Sequence, residues 1–333
     1  MREPVFAAYD WFVLHRQIDW ESLFARGLGQ IAHASLLHAE YPHAQIIEIE
    51  GSDKGGARRD VRWITDAGEL HEWYRGEWRQ EYLVKSPADY RILRRALEDT
   101  RFRADDAAFE RSEEQLGDAG VTMGQLGDSL IEVRTPLQAV QIDCAGLERF
   151  SYDLAAEEPD LMELLELMDA RTLEKLSLVR RSRAQMIKLW ENLSIETMGP
   201  DLYRRHLVPL YRKAFDVLAG SGKGLHVHYD GKLRPIAQDI AGLPFAGIDS
   251  LTGPPEGDLS AAEARALWPD TFLWLHPNLG WYEQDGAELR RRIRRMAEGA
   301  GGRFCMMISE EVPPGWQETV PLVLDELRNY GEE

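Results

Sequence analysis

The second half of the chain alternates short apolar runs with amphipathic segments, and this pattern limits the available folds more than any other feature. The apolar runs are nearly continuous, as is typical of parallel strands buried on both faces, and the segments between them show helical periodicity. Runs and helices occupy, in order, residues 224–230, 235–243, 246–252, 260–268, 271–276, 287–300, 303–309 and 318–330. The pattern predicts a series of βα units.

Upstream of these units the pattern is less regular, but further strand and helix candidates occur there. Strands are expected at 140–146 and 193–198, separated by one long helical pattern over 159–190. A second helix over 200–220 should be kinked or broken by Pro209, which lacks an amide hydrogen. The first hundred residues suggest a helix over about 19–38, a strand over 45–50, a hairpin over 58–70 and a helix over 86–100 capped by Ser86.

These elements amount to about eight βα units, which predicts an α/β fold of the (β/α)8 TIM-barrel type with an N-terminal helical and strand extension. An open doubly wound sheet is the alternative, but no G-x-G-x-x-G motif follows an early strand. No repeat and no flexible linker interrupts the chain. We therefore expect one domain over 1–333, with an elaboration over 1–100 and the main barrel over 115–333.

Charge and cysteine usage restrict the compartment and the partners. The formal net charge of −18 opposes binding to nucleic acid or to an anionic membrane surface, so a small-molecule substrate is favoured. Cys144 and Cys305 lie far apart and suggest no disulfide framework, which fits a reducing compartment. Neither a signal-peptide pattern nor a membrane-spanning apolar run is found. We expect a cytoplasmic protein, and the sequence leaves a homodimer open.

Ionisable residues collect where the predicted strands end. In (β/α)8 barrels the working residues lie at the carboxyl ends of the strands, so these side chains should meet at one rim. A buried ionisable group costs several kcal/mol unless it is paired, ligated or solvated, so their convergence indicates an active site. The residues concerned are His228, Asp230, Asp249, Thr252, His276, Glu310 and Glu311, with Glu191 and Asp143 near other strand candidates.

The stretch His226-Val-His228-Tyr-Asp230 is the densest of these groups. Because side chains alternate along a strand, His226, His228 and Asp230 should point the same way, with His226 deepest. His228 and Asp230, with a distant Glu310, could give three ligands to Zn²⁺ and leave a fourth position open. The alternative is a hydrogen-bonded His–Asp pair that fixes a tautomer without any metal.

Three segments resemble the uroporphyrinogen decarboxylase superfamily, whose members include corrinoid-linked methyltransferases. Residues 191–215 resemble the family's segment of an acidic residue, a short strand and G-P-D-L-Y, and 224–252 resemble its H-x-C-G segment. Residues 301–327 resemble its G-G-(Y/F)…P-P ending. The resemblance implies a (β/α)8 barrel, in agreement with the strand pattern.

The departures from the family pattern bear on the metal. Family methyltransferases bind zinc through H-x-C and a later cysteine, whereas Asp230 and Glu310 stand at those cysteine positions here, and Glu191 resembles an acidic residue near the metal. The resemblance thus implies a divalent metal, with zinc suspected, held by His228, Asp230, Glu310 and Glu191. An oxygen-rich set of ligands is harder than a thiolate set and makes the metal more Lewis-acidic.

The remaining candidates receive roles by the same resemblance. His228 and Asp230 count as catalytic, and His276 and Asp249 would orient the substrate. The residues expected to line the substrate pocket are Asp143, Tyr229, Thr252 and Trp281.

The resulting prediction is a metal-dependent methyltransferase acting on a small molecule, with a corrinoid supplied by a partner protein. A uroporphyrinogen decarboxylase is the alternative, although the chain offers only Arg16-Gln17 where that enzyme has an arginine-rich stretch. Eight substrate carboxylates would also be repelled by the net charge of −18. A barrel that binds a ligand without catalysis is the second alternative.

Overall fold

The computed structural model describes residues 6–10, 18–309 and 311–332. The chain forms two compact units, one of residues 1–35, 106–125 and 183–333 and the other of residues 36–105 and 126–182. We refer to them as the barrel unit and the second unit.

The described strands and helices follow in chain order. The strands are β1 (Phe6–Asp10), β2 (Leu28–Ser35), β3 (Leu37–Glu40), β4 (Gln45–Asp53), β5 (Gly56–Thr65), β6 (Gly68–Arg75), β7 (Trp78–Glu81), β8 (Arg101–Ala104), β9 (Gly120–Gln125), β10 (Met186–Leu193), β11 (Gly224–Tyr229), β12 (Gly247–Thr252), β13 (Phe272–His276) and β14 (Phe304–Met307). The helices are α1 (Trp20–Ala25), α2 (Pro87–Leu97), α3 (Ala107–Leu116), α4 (Leu130–Val133), α5 (Pro136–Gln138), α6 (Leu147–Ala155), α7 (Pro159–Val179), α8 (Ile195–Met198), α9 (Pro200–Leu202), α10 (Val208–Leu218), α11 (Ala237–Ala241), α12 (Ala261–Leu267), α13 (Gly286–Ala300) and α14 (Trp316–Glu332).

The barrel unit is a closed barrel of parallel strands in the order β1-β14-β13-β12-β11-β10-β9-β2, which confirms the predicted (β/α)8 fold. Each apolar strand of the second half lies where its sequence run predicted it. The interior is packed by apolar side chains from neighbouring strands, which include Ile31 and Met123 of β2 and β9 and Trp274, Cys305 and Met307 of β13 and β14. The ends of the strands on either side of this core are where ligand sites can form.

The second unit consists of two antiparallel sheets and helices. Strands β4 to β7 form one sheet and β3 pairs with β8, and the helices α2, α4, α5, α6 and α7 belong to the same unit. The strand at 45–50, the hairpin and the Ser86-capped helix were all predicted here, and Ser86 does form a capping box with Asp89. The first two barrel strands, β1 and β2, come from the stretch expected to be an elaboration.

Upstream of the regular half, two predicted strands are wrong and two predicted helices are shorter than expected. The strand predicted at 140–146 is instead a wide π-helical turn, Ala139–Cys144, and the strand predicted at 193–198 is the short helix α8. The long helix predicted over 159–190 ends at Val179, and the strand β10 follows it. The helix expected over 19–38 stops at Ala25, because Gly27 adopts a φ of 94° that ends it before β2.

A kink or break was expected at Pro209, and the structure has a π-helical turn there. Tyr203–Leu207 runs directly into α10 with helical φ and ψ angles, so the helix is irregular at this point but not interrupted. Cys144 and Cys305 are buried free thiols. In the described residues, no helix combines the length and the apolar character that crossing a bilayer requires.

Candidate active site

Strand β11 directs its two histidines into the barrel and its tyrosine outward. Nδ1 of His226 accepts a hydrogen bond from Nε1 of Trp274, a residue of the barrel core, at 3.1 Å. Tyr229 instead packs against Phe245, and its hydroxyl lies 3.2 Å from that of Tyr203. Tyr229 is therefore a buried part of the helix layer, although we expected it to line the substrate pocket.

His228 lies between two carboxylates near the carboxyl end of the barrel. Its Nδ1 is 2.7 Å from Oδ2 of Asp249 on β12, and its Nε2 is 3.3 Å from Oδ1 of Asp230. The Asp249 side chain is buried, whereas that of Asp230 is 31% exposed. His228 is thus held firmly on one side and more loosely on the side that solvent reaches.

The backbone next to this histidine takes an unusual conformation. Ser250 has a φ of 64°, which is uncommon for a residue other than glycine, and its side chain hydrogen-bonds Asp230. Non-glycine residues in this region cost about 1–3 kcal/mol and cluster at functional sites. The strain at Ser250 is consistent with a site shaped for chemistry.

Lys188, which the sequence analysis missed, places a positively charged side chain next to Asp249. It lies on β10, is almost completely buried, and places its Nζ 2.5 Å from Oδ2 of Asp249. The same ammonium group lies 3.6 Å from the centre of the Trp190 ring. A single lysine inside the apolar run MIKLW would have revealed this residue if the run had been assigned as a strand.

These charges set one another's protonation. Burial would raise the pKa of Asp249, but attraction to Lys188 and His228 holds it well below its usual value. Burial would likewise raise the pKa of Asp230, and His228 lowers it. Burial would lower the pKa of His228, but Asp230 and Asp249 outweigh it and raise that pKa to about 9. His228 is therefore an imidazolium at neutral pH, between two ionised carboxylates.

Two buried polar side chains at or just beyond the end of β13, His276 and Asn278, have hydrogen-bonding atoms without a partner among the described residues. His276 is 4% exposed, and neither of its ring nitrogens has a hydrogen-bond partner among the described residues, although Nε2 is 3.7 Å from Oδ1 of Asp249. Asn278 donates to the carbonyl of Gly253, while its Oδ1 accepts no hydrogen bond from the described part of the chain. Buried polar groups left in this state cost free energy unless a further group satisfies them.

Trp190 forms an aromatic wall beside His228. Its Nε1 donates to Oε1 of Gln125 at 3.1 Å, and its ring lies 5.5 Å from the His228 ring and 4.5 Å from that of His33. His33 and Trp190 belong to strands that we had assigned to helices. An aromatic ring fixed in this way can position the apolar part of a small molecule.

The other predicted site residues are spread more widely. Oε1 of Glu191 accepts a hydrogen bond from the hydroxyl of Tyr211 on α10 at 2.7 Å. Thr252 donates to the carbonyl of Ser250, and Trp281 stacks on Arg292 of α13. Asp143 belongs to the second unit, where it pairs with Arg134 at 2.8 Å. Glu310 lies outside the described residues.

The described members of the predicted metal set do not all turn toward one point. Nδ1 of His228 contacts Asp249 and its Nε2 lies 3.3 Å from Asp230, whereas the carboxylate of Glu191 accepts a hydrogen bond from Tyr211. Lys188 already places a positive charge on Asp249. Within residues 6–10, 18–309 and 311–332, no three His, Cys, Asp or Glu side chains are grouped to hold a metal ion. The zinc site with Glu310 stays a prediction.

The comparisons with known proteins bear on the fold. No protein-family model and no curated protein matches the chain. A solved methyltransferase from Methanosarcina mazei is similar with a TM-score of 0.51 and 15% identity, over 67% of this chain and 63% of that one. A muconate lactonizing enzyme from Pseudomonas putida gives a TM-score of 0.30 and 12% identity, over 87% of this chain and 78% of that one. This chain thus spans less than two thirds of the methyltransferase, which it resembles in fold.

Proposed function

We propose that the chain is an enzyme that removes a methyl group from a small molecule, with His228 as the proton donor. The observation that carries this proposal is the imidazolium of His228, held at the carboxyl end of the barrel between a buried carboxylate and a half-buried one. The similarity in fold to a methyltransferase favours methyl transfer among the reactions that need such an acid.

The two ring nitrogens of His228 have different roles in the proposed reaction. Asp249 fixes the ring through Nδ1 at 2.7 Å, which leaves Nε2 as the proton-bearing atom towards the exposed side. The contact of Nε2 with Asp230 is longer, 3.3 Å, so the heteroatom that carries the methyl group can replace Asp230 there. His276 and Asn278 offer the hydrogen-bonding groups that would hold the polar part of the substrate.

In the reaction, the bond between the methyl carbon and its heteroatom breaks. The electron pair of that bond stays on the heteroatom, which takes the proton from Nε2 of His228 and leaves as a neutral molecule. When bound through a partner protein, a corrinoid would supply the nucleophile that accepts the methyl group. Lys188 keeps Asp249 ionised during the transfer and so keeps the His228 ring in place.

The test is a methyl-transfer assay with free reduced cobalamin as acceptor and a panel of methylated amines, thiols and methoxyarenes as donors. We expect wild-type protein to form methylcobalamin from at least one donor and His228→Gln to lose 10²-fold or more of the rate, as for other general acids. His206→Gln, which removes a histidine from the turn before α10, is the matched control and should keep the rate. Equal rates for wild type and His228→Gln would contradict the proposal.

A carboxy-lyase is the second candidate, because Lys188 and His228 place two cations where a substrate carboxylate could bind. Loss of CO₂ leaves a carbanion that the imidazolium of His228 could protonate. Incubation with uroporphyrinogen and measurement of released CO₂ separates this reaction from methyl transfer. If neither reaction occurs with any substrate, the remaining alternative is a barrel that binds a ligand without catalysis.

A further inference from the structure

A large cavity lies at the opposite end of the barrel from the candidate active site. Its volume is about 780 Å³, within the range of small-molecule sites. It is lined by residues at the amino ends of strands, such as Leu28, Met186 and Phe272. Active sites of (β/α)8 barrels occupy the other end, so this cavity is separate from the proposed chemistry.

The lining is apolar, with few exceptions. Ile31, Trp274 and Cys305 of the barrel core contribute to it, and Phe24 and Val121 lie nearer the surface. Asp118 is the single charged side chain among the described lining residues. Without a lysine or arginine in the described lining, the cavity offers no counter-charge to an anion, and its apolar walls make a buried cation costly.

His226 presents a hydrogen-bond donor to this cavity. Trp274 can only donate through its indole nitrogen, so Nδ1 of His226 must be the acceptor and Nε2 must carry the proton. His226 is 4% exposed and lines the cavity, and its Nε2 lies 3.9 Å from the place that a β-carbon on Gly224 would take, towards the start of β11. No described residue accepts a hydrogen bond from this Nε2–H group.

We propose that this cavity binds an uncharged, mainly apolar small molecule with one oxygen acceptor, such as a ketone or an ether. The oxygen accepts a hydrogen bond from Nε2–H of His226, and the apolar part packs on Trp274, Phe272 and Met186. Because the walls around this donor are apolar, an acceptor on the ligand gives it a partner that the lining does not offer. The proposal does not depend on the function proposed for the other end of the barrel.

The test uses prodan, an uncharged naphthalene ketone whose emission shifts to the blue in apolar surroundings. We expect the full chain to bind prodan saturably with such a shift. An analogue with a methylene in place of the carbonyl should displace prodan with roughly five-fold lower affinity, as expected for one lost hydrogen bond.

Val121→Trp fills part of the cavity and should weaken prodan binding at least ten-fold, because it takes up space near the surface of the site. Leu130→Trp is the control, since it introduces the same side chain at an exposed leucine of α4 in the second unit. A chain that gives no saturable blue shift, an equal loss in the two tryptophan variants, or an analogue that binds as tightly as prodan would overturn the proposal.

Discussion

At the scale of single residues, the site depends on the ion pairs that link Lys188, Asp249, His228 and Asp230. Each of these groups is buried or half-buried, and each is stabilised in its charged form by the next one. Such a chain is sensitive to the loss of any member, because a buried charge without its partner costs several kcal/mol. Stability measurements can therefore test the arrangement independently of any substrate.

The first prediction concerns pH. The folded protein raises the pKa of His228 from 6.5 to about 9, so its contribution to stability is complete below about pH 6.5 and is lost as the pH rises through about 9. Between pH 6 and pH 9.5, the free energy of unfolding of the wild type should fall by roughly 3 kcal/mol more than that of His228→Gln. Urea unfolding at both pH values measures this difference, with His206→Gln as control. The same pH dependence in wild type and His228→Gln would contradict it.

The second prediction concerns Lys188. Lys188→Met leaves Asp249 buried beside a smaller positive charge, so we expect about 3–5 kcal/mol lower free energy of unfolding in urea denaturation. Lys232→Met is the matched control, because Lys232 pairs with Glu196 at 2.6 Å on an exposed surface and should cost no more than about 1 kcal/mol. If both variants lose a similar free energy of unfolding, the Lys188–Asp249 pair does not stabilise the protein more than an exposed ion pair does.

At the scale of strands and helices, the regular second half could be predicted from the sequence, and β10 could not. The strands β11 to β14 are short, nearly continuous apolar runs that end at turn residues. Their length and their boundaries identify them as buried strands. In β10, however, Lys188 and Glu191 are three residues apart and continue the helical spacing of α7. The family resemblance placed Glu191 near the metal with His228, whereas its carboxylate accepts a hydrogen bond from Tyr211.

A third prediction tests how closely β11 and β12 pack. A β-carbon on Gly247 would lie 2.1 Å from Nδ1 of His226, so Gly247→Ala must displace this ring and break its hydrogen bond with Trp274. We expect a loss of roughly 1–3 kcal/mol in the free energy of unfolding and a change in tryptophan fluorescence. Gly253→Ala, at a position where no atom lies within 4 Å of the added carbon, is the control. If both variants are equally stable, this packing is looser than described.

At the scale of the whole molecule, the barrel unit has two ends of different chemistry. Four charged groups meet towards the carboxyl end, and an apolar cavity with one neutral histidine lies at the amino end. The sequence predicted the barrel, because strand ends are visible in the apolar pattern, and it singled out His228, Asp230 and Asp249 at those ends but not Lys188. It did not predict the cavity, since the space depends on how strands from distant parts of the chain close around the core.

His226 and His228 allow both ends to be examined in one experiment. They lie two residues apart on β11, yet burial lowers the pKa of His226 to about 4, while Asp230 and Asp249 raise that of His228 to about 9. Titration of the histidine side chains by NMR, with His226→Phe and His228→Gln for assignment, measures both values directly. We predict one signal that stays neutral down to about pH 4 and one that stays protonated up to about pH 9. A His228 that titrates near its ordinary pKa of 6.5 would contradict the proposed proton donor.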